Sequence, residues 1–223
     1  MMSLSQLRGL AAGGTFVPAA MLNLDFLSGQ VDPRVTCART SLASLIDAAG
    51  RVTTAPHNLC LYSEQFELGW TREGISTFGA GSTANLAPAP DGANTADVID
   101  DGTLSGRHII HQLRPIPGDG SYVASVFVKD FGRRFVQLLV TSSGFTSGGF
   151  IIADLQAGVL TQTKAFAAGA PVLSSAIEPA DGGWFRISFC FKVLTGNSSL
   201  YLVIAASDRS SDATGTMLYS NPS

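Results

Sequence analysis

Charge is what this chain has least of. Lys, Arg, Asp and Glu together make 14% of 223 residues, and the formal net charge is −3. With a pI near 5.5 and scattered basic residues, there is no electrostatic footprint for nucleic acid, whose phosphates call for a clustered positive face. The densest basic pair, Arg133-Arg134, sits in a turn-like stretch and reads as solvated. Cysteine is scarce too: Cys37, Cys60 and Cys190 show neither CxxC nor metal-ligand spacing, and an odd count argues against a disulfide framework. Cys60 and Cys190 fall in strand-like runs, where a free cysteine acts as a small hydrophobe, so assembly in a reducing cytoplasm fits. Residues 1–20 imitate a signal peptide, with Arg8 before an apolar run, but Gly13, Gly14, Thr15 and Pro18 make a poor hydrophobic helix. No segment reaches the roughly 18 consecutive apolar residues that span a bilayer, so membrane insertion is not expected. Nucleophile and phosphate motifs are missing as well: there is no G-x-S-x-G and no GxxxxGK[ST]. No catalytic residue is picked out, and no enzyme activity is expected.

What is present is apolar and turn-rich. Hydrophobic residues make 45% of the chain, with 24 Gly and 10 Pro, and the mean hydropathy is +0.25. That length suits one large β domain plus an arm, since sandwiches and barrels often run to roughly 200–250 residues. Low charge leaves apolar surface that favours burial against partners, which points to oligomerisation or assembly. Residues 1–54 are mixed in texture, with a short helix expected at Ser3–Leu10 and a helical turn or two over Ser41–Ala49, stopped by Gly50. They read as an arm or collar and probable anchoring segment, with Leu7, Leu10, Phe16 and Leu22 as its gripping side chains.

Residues 55–223 read as the sandwich. The clearest strand is Trp184–Val193, where Phe185, Ile187, Phe189, Phe191 and Val193 fall on one face and Trp184, Arg186, Ser188, Cys190 and Lys192 on the other. Period-two alternation of this kind is a strand with one buried and one wetter face. Further strands are expected at Arg107–Leu113, Tyr122–Lys129, Phe135–Thr141, Gly149–Asp154, Leu160–Phe166 and Ser199–Ala205, with a weaker one at Ser174–Ile177. Turn pieces separate them, among them Pro90-Asp91-Gly92, Pro117-Gly118-Asp119-Gly120 and Asp181-Gly182-Gly183. No amphipathic helix lies between these strands, which excludes a parallel βαβ sheet. The expected fold is all-β: an antiparallel β-sandwich with jelly-roll connections, with barrel closure as the alternative.

Several segments, in order, carry a family resemblance. Asp32-Pro33-Arg34-Val35-Thr36-Cys37-Ala38-Arg39-Thr40-Ser41 and Ile46-Asp47-Ala48-Ala49-Gly50 form a lead-in, with Leu24–Gly29 before it. His57–Phe66, Trp70-Thr71 and Ala89–Asp97 follow, then Tyr122–Lys129 and Asp181–Arg186. This series, over about residues 24–219, resembles tailed-phage and prophage virion proteins that carry a carbohydrate-binding-module-like β-sandwich. The resemblance implies a head fibre, tail fibre or capsid-decoration component, assembled in the host cytoplasm and located in the virion. Its implied partners are capsid or tail proteins and further copies of itself, a trimer being favoured, with a host-surface glycan as the alternative partner. Two departures stand out: the linker at Thr54-Ala55-Pro56 is short, and the chain stops after Met217–Ser223 without the family's usual final strand. The last strand is then short or completed by a neighbouring subunit, and a small stand-alone component is expected.

Site chemistry is sparse. His108 and His111 lie three apart in an expected strand and so face opposite ways. The aspartates considered, Asp100, Asp101, Asp154, Asp181, Asp208 and Asp212, fall in turn-like stretches, Asp101 and Asp181 directly before a glycine, so turn chemistry accounts for them. No cofactor is expected; a sandwich of this kind can hold a structural calcium, but no EF-hand-like spacing supports one. Sugar binding needs flat aromatic faces, which Trp70, Tyr122 and Tyr201 are best placed to supply, with Trp184 and Tyr219 as further aromatics. Trp70, in the loop-like Gly69-Trp70-Thr71, is the first choice.

Overall fold

The computed structural model describes residues 44–46, 50–54, 58–74, 84–99, 106–144, 146–166, 170–211 and 219–220. The chain divides into two compact units, Met1–His57 and Asn58–Ser223. In the first, β1 (Ser44–Ile46) pairs antiparallel with β2 (Val52–Thr54), Ser44 opposite Thr54 and Ile46 opposite Val52. Ser44–Ile46 are therefore extended where local propensity pointed to helix. A helix of at most nine residues is marginal by itself, and the facing Val-Thr-Thr run is β-branched throughout. Gly50 has φ +77 and lies two residues before β2. The rest of Ser41–Ala49, the Ser3–Leu10 helix and the gripping residues Leu7, Leu10, Phe16 and Leu22 lie outside the described residues.

The second unit is an antiparallel sandwich. Its strands are β3 (Thr71–Glu73), β4 (Gly106–Arg107), β5 (Ile109–Pro115), β6 (Gly120–Val128), β7 (Phe135–Thr141), β8 (Gly148–Asp154), β9 (Val159–Ala165), β10 (Val172–Ala180), β11 (Trp184–Val193), β12 (Ser199–Ser207) and β13 (Tyr219–Ser220). Six form one sheet in the order β3-β5-β12-β7-β8-β9, three form the other as β10-β11-β6, and β13 pairs with β4. Both larger sheets are open, so the barrel alternative does not apply. The jelly-roll character lies in two nested pairs: β5 with β12 in the larger sheet, β6 with β11 in the smaller. The chain thereby lays the ribbon β5–β6 against the ribbon β11–β12 across both layers. Between these ribbons, β7, β8 and β9 run as a meander within the larger sheet, and β10 crosses to the smaller.

Alternation places the core. On β11, Ile187, Phe189, Phe191 and Val193 are buried, while their neighbours are partly or fully exposed. They meet Ile110 of β5, Val136, Leu138 and Val140 of β7, Ile151 and Ala153 of β8, and Leu200 and Ile204 of β12. The larger sheet is also apolar on its other face, where Ile109, Leu139, Phe150, Ile152, Val203 and Ala205 form a second buried cluster. Burial on both faces is why β7 and β8 read as nearly continuous apolar runs without clean alternation.

One ion pair closes the β7–β8 ladder. Arg134 donates from Nε and Nη2 to the Asp154 carboxylate at 2.6–3.0 Å, and its guanidinium lies over Phe135, 5.1 Å from the ring centre. Asp154 also accepts from the Gln156 and Ala157 amides at 3.1 Å, which forms the β8–β9 turn. The Arg134 hydrogen bonds, aided by those two amides and partly offset by desolvation, hold the Asp154 carboxyl at about 2, below its ordinary 3.8. A depressed folded-state pKa contributes stability that is present above the unfolded value and is lost as pH falls through the folded one. Asp154→Asn is therefore expected to lower the melting temperature at pH 6, with the gap from the native chain closing between about pH 4 and pH 2. Melts across that range check it; a constant gap removes the carboxylate from the acid limb.

Candidate functional site

The loop from Asn58 to Trp70 is coil, yet it is held from several sides. Asn58 Oδ1 accepts from the Cys60 amide and its Nδ2 donates to Ser63 Oγ, both at 3.0 Å, a local Asx-type clamp. Two inward side chains of β5 fasten the loop to the larger sheet. Gln112, 5% exposed, accepts from the Leu61 amide at 2.9 Å and donates to the Leu61 and Gly69 carbonyls at 3.1 and 3.0 Å. Arg114 Nε donates to the Leu59 carbonyl at 2.7 Å. Phe66 and Trp70 meet edge to face at 4.9 Å and, with Cys60, join the core. Burial pushes the Cys60 thiol up, and the Arg114 charge offsets part of that, so this sulfur is a packing group rather than a nucleophile.

The loop's conformation is strained at one point. Tyr62 has φ +51, in the left-handed region that disfavours a side chain. Its carbonyl accepts from the Trp70 indole and from the Gln65 amide, both at 3.1 Å. Its ring lies so close over Gly69 that a Cβ there would stand 2.8 Å from Tyr62 Cδ2. The residue as a whole is 50% exposed.

A second segment, Ala84–Ile99, runs beside this loop. It folds back on itself through an Ala87–Ala96 bridge and a turn in which Asp91 accepts from the Ala93 amide at 3.0 Å. Asp97 staples it to the loop: one carboxylate oxygen accepts from the Phe66 amide at 2.9 Å, the other from the Asn85 amide at 2.8 Å. Tyr62, Ser63, Glu64 and Gln65 from the loop and Asn85 and Thr95 from the segment then line a shallow polar groove of about 470 Å³.

On the apolar side of the same segment is a smaller cavity of about 130 Å³, lined among others by Val126, Phe127, Phe135, Leu155 and Trp184. Trp184 closes it by donating to the Pro88 carbonyl at 3.1 Å. Small-molecule sites usually enclose about 300–1,000 Å³; the cavity is below that range, and the polar groove falls within it as an open depression rather than an enclosed one.

The aromatics singled out from sequence lie apart. Trp70 is 7% exposed with its indole N–H engaged, so its faces are turned to packing because the Gln112 clamp draws the loop onto the core. Tyr122 stacks on Phe191 at 6.2 Å and donates to the Gly118 carbonyl at 2.6 Å. Tyr201 lies on the other face of the larger sheet, edge-on to His111 at 5.7 Å. His111 Nε2 stands 3.4 Å from Glu73 Oε1 without a hydrogen bond to that nitrogen. No group of three or more His, Cys, Asp or Glu able to hold a metal occurs among the described residues. In this loop the exposed aromatic is Tyr62, within the Asn58–Phe66 run. Its signal was a tyrosine in a coil run, Tyr62-Ser63-Glu64-Gln65, followed at once by polar side chains. No protein-family model and no curated protein matches this chain.

Proposed function

We propose that the chain is a non-enzymatic structural component of a tailed-phage particle, a head-fibre, tail-fibre or capsid-decoration protein. In this reading residues 1–54 grip capsid or tail proteins of the same virion and the sandwich is displayed outward, in a homo-oligomer for which a trimer is favoured. The observation that carries it is the use made of the resembling motifs. The Asn58–Phe66 run and the Ala89–Asp97 run meet through the Asp97 staple, and the Tyr122–Lys129 and Asp181–Arg186 runs pair as β6 and β11. Motifs that recur in order and also interlock are what a shared module requires. Assembly is supported by apolar side chains on or beside the outward face of the smaller sheet: Val123 is 65% and Phe131 71% exposed, with Phe127 half exposed.

The test is electron cryomicroscopy of purified particles, paired with deletion of residues 1–30. Density at symmetric positions on capsid or tail is expected, and the truncated chain should keep the sandwich's melting transition while failing to enter particles. Normal incorporation of the truncation sinks the anchoring role, and absence of the full chain from particles sinks the structural one. A second reading, a glycan-binding module for attachment to the host surface, is favoured by a specific observation, the polar groove under an exposed tyrosine.

A further inference from the structure

Among the described residues, two non-glycine positions have positive φ: Tyr62 at +51 and Asn85 at +55. They come from different segments, and both line the one groove. A left-handed backbone at a tyrosine costs of order 1–3 kcal/mol and persists only where the surroundings over-determine it, whereas an asparagine adopts it readily in a turn such as the one at Asn85. Around Tyr62 the surroundings do so. The Tyr62 carbonyl receives two donors, its ring rests on Gly69, and the Asn85 amide is held by Asp97. Strain at Tyr62, held on the wall of a concavity, is of the kind that clusters at ligand sites.

We infer that this groove binds a neutral or amino-substituted pyranose, with Tyr62 as the stacking platform. The inference rests on the glycan reading above and deepens it. A sugar ring presents C–H bonds with partial positive charge on its faces, which suit the negative face of an aromatic ring, and hydroxyls around its rim. The groove offers both halves of that pattern. Tyr62 supplies a rigid ring on a half-exposed residue, so little conformational entropy is lost on binding. The other lining residues carry two carboxamides, Gln65 and Asn85, two hydroxyls, Ser63 and Thr95, and the Glu64 carboxylate. Donors and acceptors are thus mixed, as paired hydroxyls need.

The same lining argues against other ligands. Among the described lining residues an apolar peptide finds no apolar wall apart from the tyrosine, and an anion finds no basic group. Glu64 carries the full charge among them, so uronates and sialylated sugars are repelled while an amino sugar is favoured. Asp97 acts as a positioning residue, since it holds Phe66 and Asn85 at fixed places without lining the groove.

The experiment uses the full chain on an array of neutral hexosides, N-acetyl- and free amino-hexosides, uronates and sialosides, followed by calorimetric titration of the best binder. Native protein is expected to bind neutral or amino pyranosides and to bind the acidic sugars at least tenfold more weakly. Tyr62→Ala should lower affinity at least tenfold. Tyr62→Gly, which accommodates the positive φ, and Asn85→Gly, which removes the carboxamide, should do so while a cooperative melting transition is kept. Binding by the native chain that survives all three substitutions overturns this site and leaves the glycan reading in place. A native chain that binds no sugar on the array overturns both, and acidic sugars bound as tightly as neutral ones overturn the assigned ligand class.

Discussion

Replacing Gly148 with alanine is expected to leave little soluble, folded protein. Gly148 opens β8 at φ +102, and a Cβ there would stand 2.0 Å from the Val140 carbonyl oxygen and 2.8 Å from its carbon. Both atoms belong to the backbone of β7, the strand with which β8 pairs, so no side chain can swing aside. The backbone strain alone costs roughly 1–3 kcal/mol. Relieving the collision means separating β7 from β8 beside the pairs Val140–Gly149 and Thr141–Gly148, at about 1 kcal/mol for each hydrogen bond lost. A total of about 4 kcal/mol or more is a large share of the ~5–15 kcal/mol that holds a typical domain together.

Two other glycines separate the causes. Gly132 has nearly the same φ, +107, but a Cβ there meets nothing within 4 Å, whereas Gly149 has no positive φ and its Cβ would stand 2.3 Å from the Lys164 carbonyl oxygen. Gly132→Ala should therefore show the strain alone, and Gly149→Ala the collision alone. Soluble yield and urea midpoints are expected to rank Gly132→Ala well above the other two. If Gly148→Ala proves no worse than Gly132→Ala, the close approach of β8 to β7 is wrong.

How much of this was legible in the sequence depended on whether the cause was local. Strands whose side chains alternate, or run apolar between turn residues, were read to the residue: Phe135–Thr141 and Trp184–Val193 are β7 and β11. The strand expected at Arg107–Leu113 runs instead as Ile109–Pro115, because buried His108 lies between β4 and β5 and breaks the pairing. β3, three residues long, carries no periodicity to detect. The second apolar face of the larger sheet was missed because burial of both faces erases alternation. The site was legible only as motifs. Trp70 drew the choice because a tryptophan in a loop looks exposed, and what buries it is a glutamine reaching Leu61 from 51 residues downstream. Nothing within the loop announces that partner. Once Trp70 turns inward, its indole fixes the Tyr62 carbonyl, and the neighbouring tyrosine becomes the exposed ring.

Gln112 is accordingly where a single substitution should couple stability to the site. Gln112→Ala removes three hydrogen bonds, one accepted from the Leu61 amide and two donated to the Leu61 and Gly69 carbonyls. Leu61 is 51% exposed, so water can reach the orphaned groups as the loop loosens. The loss is then about 1 kcal/mol per bond, roughly 3 kcal/mol in all, rather than the larger penalty of sealed, unsatisfied groups. Gln112→Glu is the sharper probe. Its carboxylate can still accept from the Leu61 amide, but its second oxygen faces two carbonyl oxygens where the amide nitrogen had donated. At neutral pH it should be at least as destabilising as alanine. Protonation restores a donor, so burial and those oxygens raise the folded-state pKa above the unfolded value of about 4.3. Raised in the folded state, this group favours folding below the unfolded pKa and loses that contribution as pH rises through the folded one. The Gln112→Glu variant should therefore gain on Gln112→Ala as the solution is acidified, opposite to the trend carried by Asp154. Urea unfolding of both variants at pH 4 and pH 7 decides it. A gap that does not change with pH means that residue 112 does not face the Leu61 and Gly69 carbonyls, and that the loop is held by its aromatic contacts alone.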